Sequence, residues 1–233
     1  MFPELHLALK PEVQEKQPNR AERSRHGENP HVLMVGPGPQ VRGGINSVIA
    51  VNMESQFSQK YSFVWLSTYD DRGPIRKIMA ALRAYLIGPV LISRADIVHV
   101  HGVFRKSFIR KLPLILIAKA MGNRVIFHIH RGTFEGSFNG PVAPVIRWML
   151  ASVDRVIVLS PICAASIRHQ CPRADIVSLP NPVIVPPRDS VRPSDKKEPR
   201  ILFLGMLDPK KGFTDLMRAI PAVLAIVPTA SFL

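Results

Sequence analysis

Asp96-Ile-Val-His-Val-His-Gly102 and, after residues 104–121, Arg124-Val-Ile-Phe-His-Ile-His130 decide the fold of this chain. Both are short apolar runs rich in β-branched residues. They flank a stretch, 104–121, that reads as mostly helix, with Pro113 marking a kink or restart. Two buried strands joined through a helix are a parallel pair, and parallel pairs lie inside layered α/β domains.

Working outward, the same alternation continues in both directions. Toward the amino terminus, His31–Gly36 and Tyr61–Leu66 read as strands. Ile45–Phe57 reads as a helix with Ile45, Val48, Ile49 and Met53 on one face. Ile75–Ile87 reads as a basic amphipathic helix stopped by Gly88-Pro89. Toward the carboxyl terminus follow a helix over Pro141–Ala151, a strand over Arg155–Leu159, a helix over Ile162–Gln170 and a strand over Asp175–Leu179. The expected fold is α/β, a parallel sheet covered by helices on both faces.

Residues 1–30 are polar and mixed in charge, without periodicity, and read as a disordered tail. Residues 31–185 form the first domain. Residues 186–199, rich in Pro, Asp, Lys and Ser, read as a linker. A fresh strand–helix–strand opens over 200–233. Within it, Ile201-Leu-Phe-Leu-Gly-Met-Leu-Asp-Pro-Lys-Lys-Gly212 reads as a buried strand, a turn after Gly205 and a Lys-Gly at the next helix. The expectation is a complete first domain followed by an incomplete second one.

With 46% hydrophobic residues, the 233-residue chain can build one ordinary core plus a fragment. Cys163 and Cys171 make neither a disulfide framework nor a zinc site, and a reducing, cytoplasmic compartment is expected. The first ten residues lack the apolar block of a secretory signal, and the runs Leu112–Ala118 and Leu86–Ile92 are too short to span a bilayer. The net charge is +14, and residues 72–134 carry most of it: twelve Lys or Arg against one acid, Asp96. Such a concentration points to an anionic partner: phospholipid head groups, a phosphorylated substrate or nucleic acid. No recognition motif supports nucleic acid.

Ligands of open parallel sheets bind at the carboxyl ends of the strands. Between the first strand and helix, residues 36–44 end in Gly43-Gly44, which let a ligand approach the backbone and leave helix N–H groups for an anion. Their spacing is neither a dinucleotide fingerprint nor a P-loop. At the next two strand ends stand His99 and His101, then His128 and His130, each pair on one face of its strand. Four histidines are a possible zinc set. With no carboxylate beside either pair, a single strand-end His that exchanges a hydrogen bond with a substrate hydroxyl is the better reading, and no metal is expected. Lys210-Lys211-Gly212 suits a phosphate at a helix start. Asp70-Asp71 are adjacent rather than spaced for a metal-bound diphosphate.

In this order the motifs resemble the family-4 retaining glycosyltransferases of GT-B fold. The similarity runs from about His31 onward. It is carried by Gly43-Gly44, 96–102, 125–132, Asp154-Arg-Val-Ile-Val-Leu-Ser160, Leu179-Pro-Asn-Pro-Val183 and 204–212. The resemblance implies a Rossmann-like acceptor domain followed by the start of a nucleotide-sugar domain. It implies His130 at the reaction centre, Gly43 and Gly44 facing the donor diphosphate, and Lys211 neutralising it without metal or other cofactor. Met206 stands where the family usually has an arginine. The full enzyme would move a hexose from a nucleotide-diphosphate sugar to a lipid-linked glycan with retention, in exopolysaccharide, capsule or lipopolysaccharide synthesis. Arg76, Lys77, Arg105, Lys106, Ser107, Arg110 and Lys111 would face the acceptor or an anionic membrane, placing the protein in the cytoplasm or on the inner face of the cytoplasmic membrane. Little activity is expected of these 233 residues alone. The other reading is a noncatalytic membrane- or glycan-binding protein.

Overall fold

The computed structural model describes residues 29–103, 106–131, 138–185, 198–205 and 207–233. Most of the tail and of the linker, and the positions Arg105 and Met206, therefore lie outside the described residues. Contacts divide the chain into two units, one ending at Ile184 and one starting at Val185.

The first unit alternates strand and helix throughout: β1 (His31–Gly36), α1 (Gly44–Glu54), β2 (Ser62–Ser67), α2 (Pro74–Ser93), β3 (Ile97–Gly102), α3 (Lys106–Ala120), β4 (Arg124–Ile129), α4 (Ala143–Ser152), β5 (Arg155–Val158), α5 (Pro161–Gln170) and β6 (Ile176–Ser178). The six strands are all parallel, in the order β2-β1-β3-β4-β5-β6. The direction of strand addition reverses between β1 and β3, which opens a crevice at their carboxyl ends.

Strand alternation sorts the side chains. Leu33, Val35, Val98, Val100, Val125, Phe127 and Ile129 join the main core with residues of α2 to α5. Val32 and Met34, on the other face, pack against Ile49 of α1. His99, His101 and His128 fall on this second face.

Two aspartates fasten the amino-terminal edge of the sheet. Asp96 accepts the His31 N–H at 2.8 Å and returns its own N–H to the His31 carbonyl. Asp154 repeats the pattern one strand pair away, with Val125 N–H at 2.7 Å and a return bond to the Val125 carbonyl. Lys119 also binds Asp154, at 3.0 Å. Burial raises the Asp154 carboxyl, but the Val125 and Lys119 bonds outweigh it and hold it below the usual range.

Two expectations need correcting. Helix α2 does not stop at Gly88-Pro89; it runs to Ser93 with Pro89 inside it. Gly88 is a packing residue, since a Cβ there would come 2.7 Å from Leu114 of α3. Continuing the helix also buries Ile92 completely. The second unit holds a two-stranded parallel pair, β7 (Arg200–Ile201) and β8 (Ser231–Phe232), joined through α6 (Phe213–Ile226). Its run after Ile201 is not a buried strand: Leu202 and Leu204 are exposed. Among the described residues of this unit, no further strand pairs beside β7 to cover them.

Candidate functional site

The crevice is bordered by the loop that leaves β1 and by the carboxyl ends of β3 and β4. That loop is held from beneath. Asn46, the third residue of α1, donates from one amide nitrogen to the carbonyls of Gly38 and Val41. Trp65 Nε1 donates to the Pro37 carbonyl at 2.9 Å, and Thr68 Oγ1 to the Gly36 carbonyl at 3.0 Å. The glycines needed for close packing are Gly36 and Gly38. A Cβ at Gly36 would come 2.4 Å from Ile49, and one at Gly38 would come 2.9 Å from Ser67 Oγ. Gly43 and Gly44, expected at the donor side, face open space, with nothing within 4 Å of a built Cβ. No side chain caps α1, so its first N–H groups border that space.

Strands β3 and β4 bring four imidazoles together at their carboxyl ends. His101 and His128 lie opposite each other across the parallel pair β3–β4. His130, just past β4, donates its backbone N–H to the Gly102 carbonyl at 2.9 Å, so the ladder extends to it. Ring centroids are 4.2 Å apart for His99–His101, 5.2 Å for His101–His128 and 4.1 Å for His128–His130. The His101 Nδ1 and His130 Nε2 atoms are 3.0 Å apart. His101 and His128 are buried, while His99 and His130 are partly so.

Burial keeps this cluster neutral. It pushes His99 down to about 3 and His128 to about 2, with the charge of His130 the next cause in both. His101 is lowered well below its ordinary value by burial and by the other three rings and Lys111. His130 falls to about 4 through burial and Lys111, opposed by a hydrogen bond with Asn181. Asn181 is part of the quoted 179–183 motif, but nothing in its spacing singled it out.

Lys111 departs from the exposed basic surface expected of it. It is 1% exposed, and its Nζ donates to Ser107 Oγ at 2.9 Å. A Cβ on Gly102 would touch both groups, at 3.5 and 3.4 Å, so the ammonium lies against the end of β3. Burial, then the nearby Arg110, lowers Lys111 to about 7. No carboxylate among the described residues offsets its charge. A buried cation beside a strand end and a His cluster is suited to an anionic or hydroxyl-rich ligand.

A profile of the "Glycosyl transferase 4-like domain" matches residues 20–182, most of the chain and all four histidines. The chain belongs to the glycosyl transferase 4-like family. No curated protein sequence matches it. A solved structure described as "Trehalose-6-phosphate from E. coli bound with UDP-2-fluoro glucose" is similar, with a TM-score of 0.50 and 15% identity. The match covers 87% of this chain and 63% of that one, and supports the shared fold.

The remaining predicted residues of this glycosyl transferase 4-like chain lie on α2, on α3 and in the second unit. Arg76 and Lys77 are exposed in the first turn of α2. Lys77 and Arg110 both lie over the Tyr69 ring, at 5.2 and 4.9 Å. Tyr85 Oη donates to the Arg110 carbonyl at 2.7 Å, tying α2 to α3. Lys106 begins α3. Lys211 is in the second unit, exposed at the end of a 3-10 turn (Pro209–Lys211), and Gly212, at φ +80, opens α6. Asp70 is engaged by Arg72 at 2.7 Å, which holds its carboxyl down at about 2.

Proposed function

We propose that this chain is the acceptor-side part of a retaining glycosyltransferase that moves a hexose from a nucleotide-diphosphate sugar to a lipid-linked glycan in surface-polysaccharide synthesis. The observation that carries the reading is His130 at the carboxyl end of β4, beside buried Lys111, within a domain of the glycosyl transferase 4-like family. The UDP-sugar named for the similar structure supports a nucleotide-sugar donor. His130 contacts the transferred sugar, and the open Gly43-Gly44 turn receives the donor diphosphate on helix N–H groups. In the second unit, Lys211 beside the start of α6 is by itself suited to a phosphate group, with no metal ion required.

The membrane part of the proposal is supported by α2. Ile75, Ile78, Met79, Leu82 and Leu86 are all exposed at helical spacing, with Arg76, Lys77 and Arg83 among them. An apolar stripe edged by basic residues lies in the interface of an anionic bilayer. No described helix is long and apolar enough to cross a membrane. The lipid-linked acceptor would then be met at the surface where it resides.

The test uses the protein as its own gene encodes it, with labelled nucleotide sugars and a lipid extract. Label should enter the lipid fraction and fall by about 100-fold or more in His130→Ala. Equal transfer by that variant would overturn the role of His130. The exposed α2 stripe also favours a second reading, a noncatalytic membrane-binding protein. Flotation with anionic liposomes but no nucleotide-sugar binding would establish it.

A further inference from the structure

We infer that His99, His101 and His128 form a binding site for one divalent transition-metal ion of the zinc type, with His130 as the outer hydrogen-bond partner of a ligand. The three rings project from one face of neighbouring strands. Each offers a nitrogen, and these nitrogens all lie within 4.8 Å of one another. Three points so spaced lie within about 2.8 Å of a common centre, so side-chain rotations of under about 1 Å reach the 2.0–2.1 Å zinc–imidazole distance.

The unpaired atoms point the same way. His99 Nε2, His101 Nε2 and both nitrogens of His128 are buried with no hydrogen-bond partner. Buried nitrogens are seldom left so, and either ordered water or an ion pairs them; three imidazoles converging on one point are the arrangement an ion uses. An ion accepting one lone pair from each ring removes three of these orphans. Ligation requires neutral imidazoles, and the burial that surrounds these rings favours that form.

The donor set selects the ion. Three imidazoles with no carboxylate suit zinc, copper or nickel, whereas magnesium and calcium take oxygen ligands. The outer partner is already present. With His101 Nδ1 bonded to His130 at 3.0 Å, its Nε2 is the atom left for the metal. Metal-bound histidines ordinarily donate their second N–H to such a partner, which fixes ring and tautomer. The ion would therefore make His101 the donor and His130 Nε2 the acceptor. That consequence for sugar transfer rests on the function proposed above; the metal site itself does not.

The experiment is a titration of chelator-treated protein with Zn2+ by calorimetry and with Co2+ by visible absorption. One equivalent should bind with submicromolar affinity, give a tetrahedral Co2+ band and raise the melting temperature. His99→Leu and His128→Gln should each weaken binding by about 100-fold or more, while His169→Ala leaves it unchanged. Melting in chelator shows whether each variant is folded. If a variant is not, 15N spectra of histidine-labelled wild-type protein report the ligated nitrogens directly. Absence of saturable one-to-one binding, or binding that survives both substitutions, overturns the inference. Neither outcome depends on sugar transfer, so failure here is distinct from failure of the proposed function.

Discussion

His101 Nδ1 lies 3.0 Å from His130 Nε2, a distance at which one ring must donate and the other accept. Because His101 is fully buried, its ring cannot turn away to solvent. It is a positioning residue for the strand-end histidine. His101→Phe should lower kcat by about 10–100-fold with little change in KM for the donor, as loss of an orienting partner does. Steady-state kinetics with varied nucleotide sugar check the split. A change confined to KM would assign His101 to donor binding instead.

Lys111 gives a pH-dependent stability. Its ammonium titrates at about 7 in the folded protein, well below the ordinary lysine value of 10.5. Between those values the unfolded chain binds the proton and the folded chain does not, so this group makes stability rise as pH increases from about 7 to about 10. Lys111→Met should remove that slope and stabilise the protein at pH 7 by about 1–3 kcal/mol. Urea unfolding of both proteins across the range tests it. The same variant should lose transfer activity, the mark of a residue kept for a ligand rather than for folding.

Asn46 holds the β1–α1 loop through the Gly38 and Val41 carbonyls. Asn46→Ala leaves those acceptors without their donor and should cost about 1–3 kcal/mol. Limited trypsin cleavage after the exposed Arg42 should accelerate, and nucleotide-sugar affinity should fall with it. Cleavage at the wild-type rate would show that Trp65 and Thr68 are sufficient anchors.

The exposed stripe on α2 separates surface function from stability. Ile78→Glu with Leu82→Glu should change unfolding free energy by no more than about 0.5 kcal/mol per site. It should abolish flotation with anionic liposomes. Replacing Arg76 and Lys77 by Ala should weaken flotation by about 1 kcal/mol each and reduce its salt sensitivity. Binding unaffected by either pair would remove α2 from the membrane proposal.

The parallel sheet was legible because strands buried on both faces read as unbroken β-branched runs, as in Ile97–His101 and Arg124–His130. Gly88-Pro89 misled because a helix-breaking pair by propensity is here a site of close α2–α3 packing, a tertiary effect without a local signal. Lys111 misled for a related reason. In the run Arg110-Lys111 both side chains read as solvated, yet one step of rotation along α3 sends the first over Tyr69 and the second under Gly102. The pairing of histidines on each strand was readable from alternation. Which ring of one pair lies beside which ring of the other was not, because it depends on the β3–β4 register, which places His101 beside His128.

The paired clamps of Asp96 on His31 and Asp154 on Val125 carry a further consequence for how such a domain can change. Both lie at the rim away from the histidines, and both use side-chain and backbone bonds to fix where a strand begins. The alignment of the sheet is thus specified at one rim, independently of the loops at the other. Those loops are free to be exchanged, lengthened or redesigned for a new ligand while the strands beneath them keep their places.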